Sequence, residues 1–200
     1  MEIILRPASA TTVSALPDGP GWWYEPEYAG ERILLLRERP SGTDGAGVRL
    51  LDAAGRNVTA AWPEVTGAAA GLRPGTVLDG AAVFWRAGRL DPAAARARAA
   101  GEAPAPDGPP AGYAPFDLLA HPDHGDVRDL GYAERRLLLL DLLEDAGPAL
   151  RPVPATDDHG TALFWYESLR EQGVPGVLAK PADAPYRAGE GSWLRLRQPG

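Results

Sequence analysis

The residues able to do chemistry fall in four short stretches. Trp22-Trp23-Tyr24-Glu25-Pro26-Glu27-Tyr28-Ala29-Gly30-Glu31-Arg32 sets Glu25 and Glu27 two apart among aromatic residues, with Arg32 behind them. Phe116 sits in Tyr113-Ala114-Pro115-Phe116-Asp117-Leu118-Leu119. Lys180 closes Pro175-Gly176-Val177-Leu178-Ala179-Lys180 and is the only lysine in the chain. Arg195 and Arg197 alternate in Trp193-Leu194-Arg195-Leu196-Arg197. An amine of lowered pKa is a covalent nucleophile, and carboxylates also form covalent intermediates. Arginine forks bind phosphate well but cannot replace the amine. Each residue also has an ordinary reading. Phe116 is equally a core aromatic, Arg32 a solvated strand flank, Glu25 a surface acid, and Lys180, Arg195 and Arg197 plain basic strand ends. His121, His124 and His159 lie in polar turns with Asp123, Asp126, Asp157 and Asp158. They read as solvated loop residues, and no metal site is expected.

The elements that must position these groups follow from periodicity and punctuation. Ile33-Leu34-Leu35-Leu36 is a continuous apolar run after Gly30 and reads as a buried strand after a turn. Val48 to Leu51 is a second strand, expected to pair with Ile33 to Arg37 as a hairpin across the turn at 41–47. Residues 1–20 read as a short strand or arm ending at Pro17-Asp18-Gly19-Pro20. Thr59 is a candidate helix N-cap with Glu64 in the first turn. A further helix is expected from Pro92. Residues 93–112 are rich in Ala, Arg, Pro and Gly and read as a mobile loop whose first half is able to be helical. Asp129 to Gly147 holds the clearest helix, and Gly160 to Gln172 a second one offering Leu163, Phe164, Tyr166 and Leu169 to one face.

Composition excludes several classes. The chain has 200 residues, 44% hydrophobic and 24% charged, which suits one domain, 1–200, of a soluble globular protein. Cysteine is absent, which removes disulfides, thiolate zinc sites and cysteine nucleophiles and fits a cytoplasmic location. No apolar run approaches a membrane span and no signal-peptide shape opens the chain. The formal net charge is −7, against the usual basic balance of a duplex-binding domain.

Taken in order, the stretches resemble the motifs of the ATP-dependent DNA ligase adenylation domain. Tyr24 to Arg32 resembles motif I, Tyr-Glu-Pro-Lys-x-Asp-Gly-x-Arg, with Glu27 at the nucleophilic lysine and Ala29 at the aspartate. Val58 to Val65 resembles the segment after motif Ia, whose turn arginine falls at Ala53. Leu78-Asp79-Gly80-Ala81 resembles motif III, with Ala81 at its glutamate. Phe116-Asp117-Leu118-Leu119 resembles motif IIIa, whose phenylalanine stacks on adenine. Pro175 to Lys180 resembles motif IV, with Pro175 at its glutamate. Tyr186-Arg187-Ala188-Gly189 and Trp193 to Arg197 resemble the end of the domain, with both motif V lysines now arginine. The frame runs from about Trp23 to Arg197.

The resemblance implies an α+β domain of two antiparallel sheets around a cleft, flanked by helices, read here without an OB-fold. It implies ATP as ligand, with Mg²⁺ only where nucleotide binds, and DNA or a DNA-repair protein as partner. The nucleotide-binding candidates it designates are Glu25, Arg32, Phe116, Lys180, Arg195 and Arg197. No catalytic residue is expected. Two unit charges about 4 Å apart interact by roughly 4 kcal/mol at an effective dielectric of 20, so a carboxylate at position 27 opposes a triphosphate. A catalytically inactive ligase-like domain is the first expectation. The alternatives are an active nucleotidyltransferase using Lys180 or Glu27, and a partner-binding domain without ligand, which an apolar patch at Trp22 and Trp23 would favour.

Overall fold

The computed structural model describes residues 7–39, 47–102, 108–189 and 191–198. The expected turn at 41–47 and the centre of the expected loop at 93–112 therefore lie largely outside the described residues. The strands are β1 (Ala10–Thr12), β2 (Trp22–Pro26), β3 (Glu31–Arg37), β4 (Val48–Asp52), β5 (Val77–Val83), β6 (Trp85–Arg86), β7 (Arg89–Leu90), β8 (Gly112–His121), β9 (Gly125–Asp126), β10 (Gly176–Pro181) and β11 (Trp193–Arg197). The α-helices are α1 (Pro63–Ala69), α2 (Pro92–Ala99), α3 (Tyr132–Leu142) and α4 (His159–Ser168).

The strands form two principal sheets, ordered β1-β11-β10-β2 and β4-β3-β5-β8-β9, with β6 and β7 as a separate hairpin. All pairs are antiparallel except β1 with β11. The expected β3–β4 hairpin is present, with Leu35 opposite Leu50.

Side chains alternate across a strand, so β3 divides its apolar run between two cores. Ile33 and Leu35 join Trp62, Val65, Leu78 and Leu139 beneath the helices. Leu34 and Leu36 join Val77, Leu119, Tyr186 and Trp193 on the face toward the other sheet. A strand buried on both faces has no polar alternation, and this explains the unbroken run. The other sheet rests α4 on its outer face, with Ala162 against Tyr24, Val177, Ala179 and Leu196. That leaves Trp23, Glu25, Leu178, Lys180, Trp193 and Arg195 on the face toward the cleft.

Several local expectations change. Thr59 is not an α-helix N-cap. It begins a short 3-10 turn, Thr59–Ala61, its hydroxyl accepts from Leu50 N at 2.9 Å, and α1 starts at Pro63 behind Trp62. Residues 93–99 belong to α2, which Asp91 caps by accepting from Ala94 N at 3.0 Å, so no loop begins there. Leu163 and Phe164 do not face the core. Phe164 is 64% exposed, and the buried position is Ala162, because α4 lies close on β2 and β10. Trp22 and Trp23 are half-buried. His121 is not solvated but buried at the end of β8. Among the described residues no helix is long and apolar enough to cross a membrane.

Candidate functional site

The cleft between the sheets contains a cavity of about 200 Å³. Its walls include Glu25, Glu27, Tyr28, Arg32, Phe116, Trp193 and Arg195. Strand geometry explains why these groups meet. Glu25 and Glu27 are two apart and so share a face, as do Arg195 and Arg197. The register sets Glu25 opposite Leu178 and Leu178 opposite Arg195. One step on, Glu27 N donates to Gly176 O at 2.8 Å and Gly176 lies opposite Arg197. Gly176 has no side chain to separate the two, so carboxylate and guanidinium meet across it. Arg197 Nε donates to Glu27 Oε2 at 2.9 Å and Nη2 to Oε1 at 2.8 Å, a two-point fork. Arg195 Nε lies 3.1 Å from the same Oε1. Distance makes this an ion pair, yet the buried Nε has no hydrogen-bond acceptor among the described residues. Arg197 is held charged above its ordinary range, chiefly by its hydrogen bonds to Glu27.

Lys180 and Glu25 form a second, deeper pair, Nζ to Oε2 at 2.7 Å, with side-chain exposures of 0% and 1%. The ordinary reading of Glu25 as a surface acid is therefore wrong. Lys180 also donates to Phe116 O at 3.0 Å and lies over Trp193, Tyr132 and Phe116 at 4.2, 4.7 and 4.9 Å from the ring centroids. The Tyr132 hydroxyl donates to Glu25 Oε1. Burial, and then the Glu25 charge, push that hydroxyl well above the usual tyrosine range, so it remains a donor. The residues lining the cavity do not include Lys180.

Arg32 makes a third pair. It donates to both oxygens of the buried Asp79, at 3.0 and 2.6 Å, and to Ala8 O at 2.6 Å. Tyr186 donates to Asp79 Oδ2 at 2.7 Å and accepts from Ala8 N at 2.9 Å. Burial opposes the Arg32 charge, but Asp79 outweighs it and holds the guanidinium above its ordinary range. Arg32 is thus not a solvated strand flank. It lies 5.2 Å from the Phe116 ring centroid and 5.5 Å from that of Trp193. Phe116 is half-buried and lines the cavity, with Trp193 edge-on at 5.9 Å.

All six sequence candidates therefore come together, but each charged one already has a partner of opposite sign. Tyr132, Asp79, Tyr186 and Trp193 complete the arrangement and were not singled out from sequence. The two positions matching the metal-side glutamates carry no carboxylate. Ala81 packs with Val83, Leu90, Ala114, Val153 and Val174 in an apolar cluster, and Val174 precedes Pro175. Among the described residues no three His, Asp or Glu side chains converge as ligands.

The sequence profile of the ATP-dependent DNA ligase domain matches residues 8–197. The chain belongs to this family. DNA ligase C2 of Mycolicibacterium smegmatis is 36% identical over 193 residues, which cover 92% of this chain and 51% of that protein. DNA ligase C of Mycobacterium tuberculosis is 32% identical over 197 residues, with the same two coverages, 92% and 51%. This ligase-family chain thus spans about half the length of these relatives. A solved structure of mycobacterial DNA ligase D complexed with ATP and MES superposes with a TM-score of 0.76 at 25% identity, covering 97% of this chain and 60% of that one. The expected family and fold are both as the motifs implied.

Proposed function

We propose that this ligase-family domain forms no covalent adenylate and keeps its cleft for binding an adenine compound. One observation carries the reading: a carboxylate, Glu27, held by Arg195 and Arg197, stands where the family pattern has its amine nucleophile. Two further features point the same way. The positions matching the metal-side glutamates are Ala81, inside an apolar cluster, and Pro175 beside it. These two positions therefore offer Mg²⁺ no carboxylate, leaving nucleotide phosphates and water as its main oxygen ligands. Lys180, the only lysine, is enclosed by three rings and bound to Glu25 behind the cavity wall, not among the residues that line it. Glu27 is a poor substitute, since its attack would break the arginine fork and bring a carboxylate toward a triphosphate. What favours retained binding is the aromatic wall of Phe116 and Trp193. A base stacked on such a ring gains about 1–3 kcal/mol. DNA or a DNA-repair protein is the partner this family membership suggests.

Intact-mass measurement after incubation with ATP and Mg²⁺ or Mn²⁺ tests the reading. No mass gain is expected, and Glu27→Lys is expected to gain none either, since Ala81 and Pro175 remain. A gain of one AMP on the natural chain would refute it.

A further inference from the structure

The Arg195–Arg197 pair has the chemistry of a phosphate clamp, yet a side chain of the same protein already sits in it. Glu27 meets Arg197 at two points and Arg195 at one. It is only 12% exposed, whereas Arg197 is 50% exposed. The carboxylate thus lies on the cavity side with the arginines around it, as a phosphate oxygen would. The remaining cations of the cleft are spent as well, Lys180 on Glu25 and Arg32 on Asp79. Among the described residues the buried Arg195 Nε, 3.1 Å from Glu27 Oε1, lacks an aligned acceptor. The cavity, at about 200 Å³, is also smaller than the roughly 300–1,000 Å³ pockets that enclose drug-sized ligands.

We infer that Glu27 is a built-in occupant of the anion subsite, so that the cleft selects an uncharged purine nucleoside and rejects its phosphorylated forms. The inference rests on the reading that the cleft takes an adenine compound, and adds which one. A base and sugar meet Phe116, Trp193 and Tyr28 and leave the fork closed. A nucleotide must displace Glu27 or set its phosphates against it. The Arg195 guanidinium, which makes no aligned hydrogen bond among the described residues, suits a neutral oxygen such as a sugar hydroxyl, which accepts a hydrogen bond without opening the Glu27–Arg197 fork.

Calorimetric titrations with adenosine, ATP and inorganic pyrophosphate, without metal, test this on the natural chain and on Glu27→Gln and Glu27→Ala. The natural chain is expected to bind adenosine more tightly than ATP and to show no heat with pyrophosphate. Both variants are expected to bind pyrophosphate. Their ATP affinity should rise by about ten- to a hundredfold, the worth of about one charged hydrogen bond, with a much smaller change for adenosine. Adding Arg195→Ala and Arg197→Ala to Glu27→Ala should abolish the gain. ATP binding the natural chain more tightly than adenosine would overturn the inference without recourse to any variant. So would an ATP-to-adenosine ratio that both variants leave unmoved. If adenosine binds no form of the protein, the adenine reading fails by itself. Pyrophosphate then decides the anion subsite: binding to Glu27→Ala upholds it, and no binding overturns it.

Discussion

Replacing Lys180 with methionine separates a structural ammonium from a ligand-binding one. The side chain is wholly buried, 2.7 Å from Glu25 and 3.0 Å from Phe116 O. Methionine keeps much of the contact with Trp193, Tyr132 and Phe116, so the change removes chiefly the charge. Glu25 would then be left with the Tyr132 hydroxyl and with Arg136 Nη1 at 4.0 Å. Removing one partner of a buried ion pair costs about 3–5 kcal/mol, because the other charge stays desolvated. At about 2–4 °C per kcal/mol for a domain of this size, the melting temperature should fall by about 6–20 °C.

The second half of the test is the double variant, Lys180→Met with Glu25→Gln. It removes both charges and still offers the Tyr132 hydroxyl an amide oxygen. Contacting partners couple by about 0.5–3 kcal/mol, so the double variant should cost less than the sum of the singles by at least the lower figure. Urea unfolding followed by tryptophan fluorescence is a suitable assay, since the chain has six tryptophans. A loss under about 1 kcal/mol in Lys180→Met, against the 3–5 expected of a buried pair, would refute the argument. Strict additivity would do the same. Either result would return Lys180 to the role of a phosphate-facing cation whose removal harms binding rather than folding.

Two further outcomes follow from packing and charge. A Cβ at Gly80 would lie 2.6 Å from Tyr113 Cζ and 2.8 Å from Ala114 O, whereas one at Gly67 in α1 meets nothing within 4 Å. Gly80→Ala should therefore destabilise by about 1–3 kcal/mol, as overpacking does. Gly67→Ala should stabilise by about 0.4–1 kcal/mol. Equal urea midpoints for the two variants would contradict the packing around Tyr113. His121 supplies a pH test. Burial, and then the nearby His124, lower its pKa from the ordinary 6.5, against smaller opposing effects of Asp123 and Asp141. The unfolded chain thus takes up this proton first as pH falls. The stability due to the neutral ring is full above pH 6.5 and is lost as pH drops through the lower folded value. Urea midpoints at pH 7.5 and 5 should therefore converge in His121→Gln relative to the natural chain. An unchanged gap would count against the shift.

Much of this arrangement is legible from period alone, but only within single strands. The spacing of Glu25 with Glu27, and of Arg195 with Arg197, already assigns each pair to one sheet face. Which pair meets which depends on the β2–β10–β11 register and on Gly176 between them. That register joins residues about 170 apart, and no local pattern encodes it. Asp79 carried a usable signal. An acid inside an apolar run is costly unless paired, so a cation had to be found for it, and Arg32 is that cation. Asp117 in β8 poses the same demand, and Arg135 meets it with bonds of 2.7 and 3.0 Å. Helix faces read less well. In α4 the bulky apolar residues suggested the core side, yet close approach to the sheet selected Ala162 and left Phe164 outside.

The substitutions that depart from the ligase pattern make sense as a set. An amine at position 27 beside Arg195 and Arg197 would leave three cations together, a cluster that calls for phosphate to balance it. A carboxylate there turns the three charges into two cations and one acid, offsetting one of the two arginine charges from within. Glutamates at positions 81 and 175 would, without a metal, place like charges in a wall formed by Val83, Ala114, Val153 and Val174. Alanine and proline remove that demand. Either change made alone leaves a charge that only a ligand could offset. Made together, they produce a cleft whose cations each have an acid: Arg32 with Asp79, Lys180 with Glu25, and Arg195 and Arg197 with Glu27. Such a cleft is stable with nothing bound. The aromatic wall then supplies the attraction for a base, while Glu27 sets how much of the arginine charge an anion can reach, and this is why the Glu27 variants should decide between charged and uncharged ligands.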